Sequence, residues 1–362
     1  MMNINSIIKK KTGIIIAILV LCQLTLTGCV NKRTEIILTT DFKNGEVFRL
    51  EDSSCYLPEI MVYLVNSENK YDEIFGENIW NVPIVTEALS TTTVGNAYKE
   101  TILARIAQIK AMNLLAADYN LTLSDEELDK TSEAADEYFR SLNAEEIKTM
   151  GISISTINQL YREFAVADKL YKNITEGVHP EISDDEARAV SVKTILIKTY
   201  SMTPQGTRID FTRAQKEEAY NRAVDALIKI NTGTDFDIVA ADYNEDAEST
   251  YSFGRGVMPE SFENAAFNLD TDEVSDIIET EYGYHIIKCV SSFDRDETDA
   301  NKAGILKRIQ QDEFNGIYNE FVKGLTTNLN APLWESVSYT KSSDVNTTDF
   351  FDVYDKYFNE EE

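Results

Sequence analysis

Histidine is almost missing from this 362-residue chain, and cationic side chains are scarce beside anionic ones. Two histidines, His179 and His285, exclude a histidine-rich metal site. Four cysteines with no CxxC pair offer neither zinc-ligand spacing nor a redox motif. No metal and no cofactor is expected. Against 62 Asp and Glu stand only 34 Lys and Arg, a formal charge of −28. That balance argues against nucleic acid, because binding a polyphosphate needs basic surface that releases counterions. It also keeps the surface alone from adhering to an anionic bilayer, so residence at a membrane would need a covalent anchor. Proline and glycine are few, and the 43% of hydrophobic residues is that of an ordinary globular protein with room for two or three cores. With one candidate catalytic histidine and no nucleophile at a recognisable spacing, a hydrolase is a poor reading.

The N-terminus supplies an anchor signal. Lys9, Lys10 and Lys11 precede an apolar run over 13–26, shorter than the roughly 20 residues a spanning helix needs. Leu26-Thr27-Gly28-Cys29 follows, and small residues before a cysteine resemble the lipobox of bacterial lipoproteins. The resemblance implies a signal peptide over 1–28, lipidation of Cys29, and a cell-membrane, lipid-anchored protein on the extracytoplasmic face. Removing the leader deletes three lysines and no acid, so the mature chain is more acidic still. Cys22 would leave with the leader. Of the remaining pair a Cys55–Cys289 bridge stays open, although Cys289 shares strand parity with His285 and Ile287 and reads as an inward-facing core thiol.

The pattern after a linker over 29–44 is helical through 45–189. Ile102, Ile106, Ile109 and Met112 form one amphipathic face, and Ile157, Leu160, Phe164, Ala167, Tyr171 and Ile174 another. Ser124 with Glu127 and Asn143 with Glu146 have the capping-box spacing. A β-branched strand over 190–199 opens a compact α+β domain at 190–292, with the expected order β-α-α-α-β-β, a polar loop over 203–210 and a short strand at 274–278. A helix over 300–325 and a short strand over 337–339 make a C-terminal segment, 293–340. The acidic tail 341–362 lacks a regular apolar pattern and reads as disordered. The helical first half argues against a solute-binding lipoprotein of two α/β lobes.

The most informative stretch is 253–290, FGRGVMPESFENAAFNLDTDEVSDIIETEYGYHIIKCV, where a histidine sits inside an apolar strand. A polar imidazole there needs a reason. Together with Val192-Lys193-Thr194-Ile195-Leu196 and the Thr234-Asp235-Phe236 helix start, the segments RGVMPESFENAAF and EYGYHIIK resemble a parvulin-type peptidyl-prolyl isomerase in residue type, order and spacing. A lipoprotein signal, a helical domain ahead of that module and a helix behind it look like the PrsA/SurA-type foldases.

The resemblance implies an α+β parvulin-like domain, a small antiparallel sheet flanked by helices. It would be inserted between a helical chaperone-like domain and a C-terminal helix that packs back on it. The implied activity is cis-trans isomerisation of X–Pro bonds in unfolded or newly secreted polypeptides, without cofactor. The alternative is a holdase whose isomerase domain is silent. Met258, Phe262 and Phe253 would form the proline slot and His285 the floor, with Thr280 supporting it. Asp246 falls where the family carries Cys or Asp beside the carbonyl. Two places depart from the family. Thr194 stands where a second histidine is usual, and AESTYS replaces a glycine-rich GGDLG-like segment.

Overall fold

The computed structural model describes residues 42–85, 91–203, 207–340 and 342–359. The expected signal peptide, Cys29 and most of the linker lie outside the described residues. Two compact units emerge: 1–177 with 313–362, and 178–312. The second is therefore an insertion in the sequence of the first, and the α+β class expected from the sequence is what is observed.

The first unit begins with a turn in which Glu46 N donates to Lys43 O. It leads into β1 (Glu46–Leu50) and β2 (Ser53–Tyr56), then α1 (Leu57–Phe75), with Pro58 in the first helical turn. A 3₁₀ turn, Glu77–Asn81, ends that helix region, and a small hairpin follows, β3 (Pro83–Val85) with β4 (Thr91–Thr93). Four helices come next: α2 (Val94–Asp118), α3 (Asp125–Ser141), α4 (Ala144–Met150) and α5 (Ile154–Thr175). Both expected capping boxes form. Ser124 Oγ accepts from Glu127 N while Glu127 Oε2 accepts from Ser124 N, and Asn143 and Glu146 do the same. The apolar stripes of α1, α2 and α5 make one core. Inside it Lys110 of α2 is buried, held by Glu59 at 2.6 Å and Glu163 at 2.8 Å. A buried ammonium without such partners would cost several kcal/mol, so this triad ties the mutual register of three helices to one charge.

The second unit runs α6 (Asp184–Ala187), β5 (Ala189–Lys198), β6 (Tyr200–Met202), β7 (Arg208–Asp210), α7 (Arg213–Asn231) and α8 (Phe236–Tyr243). It continues with β8 (Thr250–Gly254), α9 (Glu260–Asn268), β9 (Ile278–Thr280) and β10 (Gly283–Ser291). The four-stranded sheet has the order β8-β5-β10-β9, all neighbours antiparallel. This corrects the expected β-α-α-α-β-β. Of the polar loop expected at 203–210, residues 208–210 are β7, paired antiparallel with β6, and β8 adds an edge strand. The strand expected at 274–278 is reduced to one bridge, Val274 with Lys288, because the pairing strand starts at Ile278. The unit also reaches past 190–292 on both sides: Asn301 Nδ2 donates to Ala187 O at 2.9 Å and Ala189 N to Thr298 Oγ1 at 3.1 Å.

The helix α10 (Arg295–Val322) carries the chain from the second unit back to the first. There β11 (Thr327–Leu329) pairs antiparallel with β1, followed by α11 (Ala331–Ser336) and α12 (Phe350–Phe358). Residues 337–339 are not a strand. Pairing is taken by Thr327–Leu329, three residues with no local pattern, opposite a strand nearly the whole chain away. The disordered tail is a second correction. Phe350, Val353 and Tyr354 lie on one face of α12 and are buried, while the acids point outward, as with Asp352 facing Lys70. The Phe350 ring stacks on Tyr161 at 4.7 Å. Its N–H donates to Asn66 Oδ1 at 3.1 Å, and its carbonyl accepts from Tyr161 Oη at 2.8 Å. Averaging charge over 341–362 hides an i, i+3, i+4 stripe.

Truncating this anchor reads out cleanly, because both tryptophans, Trp80 and Trp334, belong to the first unit. Phe350→Ala is expected to destabilise that unit by about 3–5 kcal/mol in urea unfolding followed by tryptophan emission. A change under about 1 kcal/mol would mean that the tail helix does not contribute to the core.

Candidate active site

Register places the site. In the β5–β10 ladder Leu196 pairs with His285, Thr194 with Ile287 and Val192 with Cys289. Val190 and Val192 pair with Phe253 and Tyr251 of β8. Paired residues share a face, so even positions of β5 and odd positions of β10 look the same way. That face packs on α9 through Phe253, Phe262, Ala266 and Phe267, with Cys289 inside as a free, buried thiol. The opposite face, with Ile195, Ile197 and Ile286, is covered by α7 and α8. Cys55 is likewise free and buried, in the core of the first unit.

Glycine is required where β9 turns into β10. Gly283 has φ +145°, and a Cβ there would stand 2.1 Å from Ile197 O. This close approach brings Thr280 beside His285, Oγ1 to Nε2 at 2.8 Å. Thr280 Oγ1 also accepts from Tyr282 N at 3.1 Å. Because Thr280 Oγ1 already accepts from Tyr282 N, its O–H is left to donate to Nε2, which puts the imidazole proton on Nδ1. The Phe262 ring meets the imidazole edge-on at 5.1 Å and 74°. Burial pushes the His285 pKa down to about 4; the carboxylates of Asp246 and Glu281 pull the other way and lose. The ring is neutral at physiological pH. Its Nδ1 and the Thr194 Oγ1, both buried, have no hydrogen-bond partner among the described residues.

Met258 is half-buried against the Phe253–Phe262 cluster. The turn that presents it is pinned: Gly256, at φ +82°, donates its N–H to Glu263 Oε2 at 2.6 Å, and Arg255 lies over the Phe267 ring. Asp246 sits on the loop 244–249, which is laced along the β5 edge. Leu196 N donates to Asn244 Oδ1 at 2.9 Å, Glu245 N to Leu196 O at 2.8 Å, and Thr194 N to Ser249 O at 2.8 Å. The expected residues Thr194, Met258, Phe262, Phe253, Thr280 and His285 therefore gather on one face of one sheet, with Asp246 at its rim. His179 is exposed and remote in sequence from this group.

One residue at the site was not anticipated. Tyr251 of β8 donates its phenol to Asp246 Oδ2 at 2.8 Å and packs beside Phe253. The signal was the alternation Tyr251-Ser252-Phe253, a period of two in a segment noticed only for the glycines it lacks. Chemically, the arrangement joins an apolar cup of Met258, Phe262 and Phe253 to a neutral imidazole and a carboxylate. The nearest thiol, Cys289, is buried and its pKa is pushed up by that burial, so it is no nucleophile. Such a site suits chemistry that forms no bond to the protein.

Comparison with known proteins puts a family match on the same part of the chain. Residues 195–291 match the family model Rotamase, described as a PPIC-type PPIase domain. The chain is similar to foldase protein PrsA 3 of Bacillus cereus, 29% identical over 228 residues, covering 61% of this chain and 75% of that one. It is also similar to foldase protein PrsA of Geobacillus kaustophilus, 42% identical over 79 residues, 20% of this chain and 27% of that one. Among solved structures it resembles a peptidylprolyl isomerase (PrsA) from Bacillus cereus at 19% identity and TM-score 0.36, covering 75% of this chain and 97% of that one.

The depressed pKa of His285 gives a pH signature. Between about 6.5 and 4 the unfolded chain binds a proton at this residue and the folded one does not, so stability falls as pH drops through that window. The loss is on the order of 3 kcal/mol at its full extent. By NMR the His285 ring should keep neutral-imidazole shifts from pH 8 to about 5. Titration near 6.5 would show that the ring is solvated.

Proposed function

We propose that this chain, whose residues 195–291 are a parvulin-type peptidyl-prolyl cis-trans isomerase domain, is a lipid-anchored foldase acting on secreted or envelope polypeptides outside the cytoplasm. The lipobox-like Leu26-Thr27-Gly28-Cys29 supports the anchor, with Cys29 carrying the lipid. Among the described residues no helix is long and apolar enough to cross a membrane. The clients are unfolded chains, as for the foldases it resembles.

The observation that carries the reading is the buried, neutral His285, braced by Thr280 and faced by Phe262 beside an apolar cup. Rotating an X–Pro bond crosses a barrier of about 20 kcal/mol without making or breaking a covalent bond. Catalysis then consists of binding the twisted amide better than the planar one. Met258, Phe262 and Phe253 hold the proline ring. The Asp246 carboxylate beside the amide carbonyl disfavours the planar form, whose resonance places negative charge on oxygen. As the amide twists, that charge retreats and the repulsion eases. His285, kept uncharged by burial, offers a rigid floor and a ring N–H instead of a cation that would stabilise the planar carbonyl. Thr194 closes the floor on the β5 side.

A proline-limited refolding assay on the full chain in detergent tests this. The wild type should accelerate a slow phase that takes tens of seconds uncatalysed at 25 °C. Asp246→Ala and His285→Ala should each lower kcat/KM by at least about tenfold. Variants as fast as the wild type would dismiss these residues as the catalytic site.

A further inference from the structure

We infer that Tyr251 is a positioning residue of the isomerase site, acting through Asp246. The inference rests on the reading of Asp246 and His285 as the site just given. A carboxylate on a loop, in a chain as acidic as this one, is drawn outward by hydration and by repulsion from its neighbours. Glu245 and Glu248 flank Asp246 on the same loop, and Glu245 already pairs with Arg222. Both Asp246 oxygens are nevertheless fixed. Oδ1 accepts from Ala247 N at 2.8 Å, and Oδ2 from the Tyr251 phenol at 2.8 Å. The first bond comes from the next residue and moves with the loop. Only the second ties the carboxylate to the sheet.

The route of that tie explains its place. Tyr251 is rooted opposite Val192. Asp246 belongs to a loop bonded to β5 at Leu196 and Thr194. The Tyr251 side chain, packed on the Phe253–Phe262 cluster, therefore joins the sheet at the level of Val192 to a loop bonded two to four residues further along β5. The phenol keeps its proton: burial first, and then the bond to Asp246, push its pKa up to about 12. It remains a donor throughout the physiological range. The opposing account is that Tyr251 is a packing residue of an edge strand whose hydroxyl happens to find an acceptor.

A double-mutant cycle separates the two. kcat and KM are measured on a prolyl peptide with the full chain in detergent, at about 10 °C, where the uncatalysed reaction takes minutes. Tyr251→Phe removes the donor and keeps the ring. It is expected to lower kcat about tenfold, with KM within about twofold, because the loss falls on the twisted amide. On an Asp246→Ala background the same change should alter kcat less than about twofold, since the tie then holds nothing. An active wild type with an unchanged Tyr251→Phe variant overturns the inference, as does an equal fractional loss in both backgrounds. A Tyr251→Phe chain that is unfolded at that temperature by circular dichroism makes the residue structural and overturns it too. A wild type without activity removes instead the functional reading beneath it.

Discussion

The antiparallel pairing of β5 with β10 is the constraint on which the second unit depends. It runs from Gly283 opposite Lys198 to Cys289 opposite Val192. Side chains alternate along both strands, so a slip of one residue would send His285 to the face covered by α7 and α8 and bring Ile286 into the site. What prevents the slip is partly steric: the β9–β10 turn presses on β5 so closely that only glycine fits at 283. The backbone edge of β5 does the rest, pairing with β8 over its first half and with the loop 244–249 over its second. One strand therefore sets the positions of His285, Thr280, Phe253 and Asp246, which come from four other segments.

Within that frame the electrostatics are decided by burial. Two carboxylates act on His285, and either would by itself favour the charged ring. The imidazole is enclosed by Phe262 and the sheet, and the cost of ionising it there exceeds what Asp246 and Glu281 return. In the first unit the balance is struck the other way. Lys110 is as deeply buried as His285, but two carboxylates bond it directly at 2.6 and 2.8 Å. For the ammonium the two carboxylates together outweigh desolvation and raise its pKa, while for Glu59 burial still wins and raises the carboxyl's.

How much could be read from the sequence follows from how local each cause is. Capping boxes involve residues three apart, so Ser124 with Glu127 and Asn143 with Glu146 marked helix starts to within a residue. The β-branched run of β5 and the apolar flanks of His285 were equally plain. β11 was illegible because its partner lies at the far end of the chain, and α12 because a three-residue apolar stripe is outweighed by surrounding acids. β8 was obscured by polar residues that suit an edge strand. In the site, the order of Asp246, Met258, Phe262, Thr280 and His285 was visible through the family likeness. The bond from Tyr251 to Asp246 was not, since it depends on a loop doubling back along β5.

The insertion of one unit inside the sequence of the other sets an order of events during synthesis. A chain emerging N-terminus first completes residues 178–312 while the surrounding unit still lacks β11, α11 and α12. The isomerase domain closes over contacts separated by about a hundred residues, whereas β1 must wait for a strand roughly 280 residues later. Until then Val47, Phe48 and the aromatic shelf of Tyr138 and Tyr161 lack their final cover, the interval in which collapsed intermediates aggregate. The segment that seals the helical core is thus made after the isomerase domain, so a chain interrupted between them would carry a finished isomerase domain on an unfinished support.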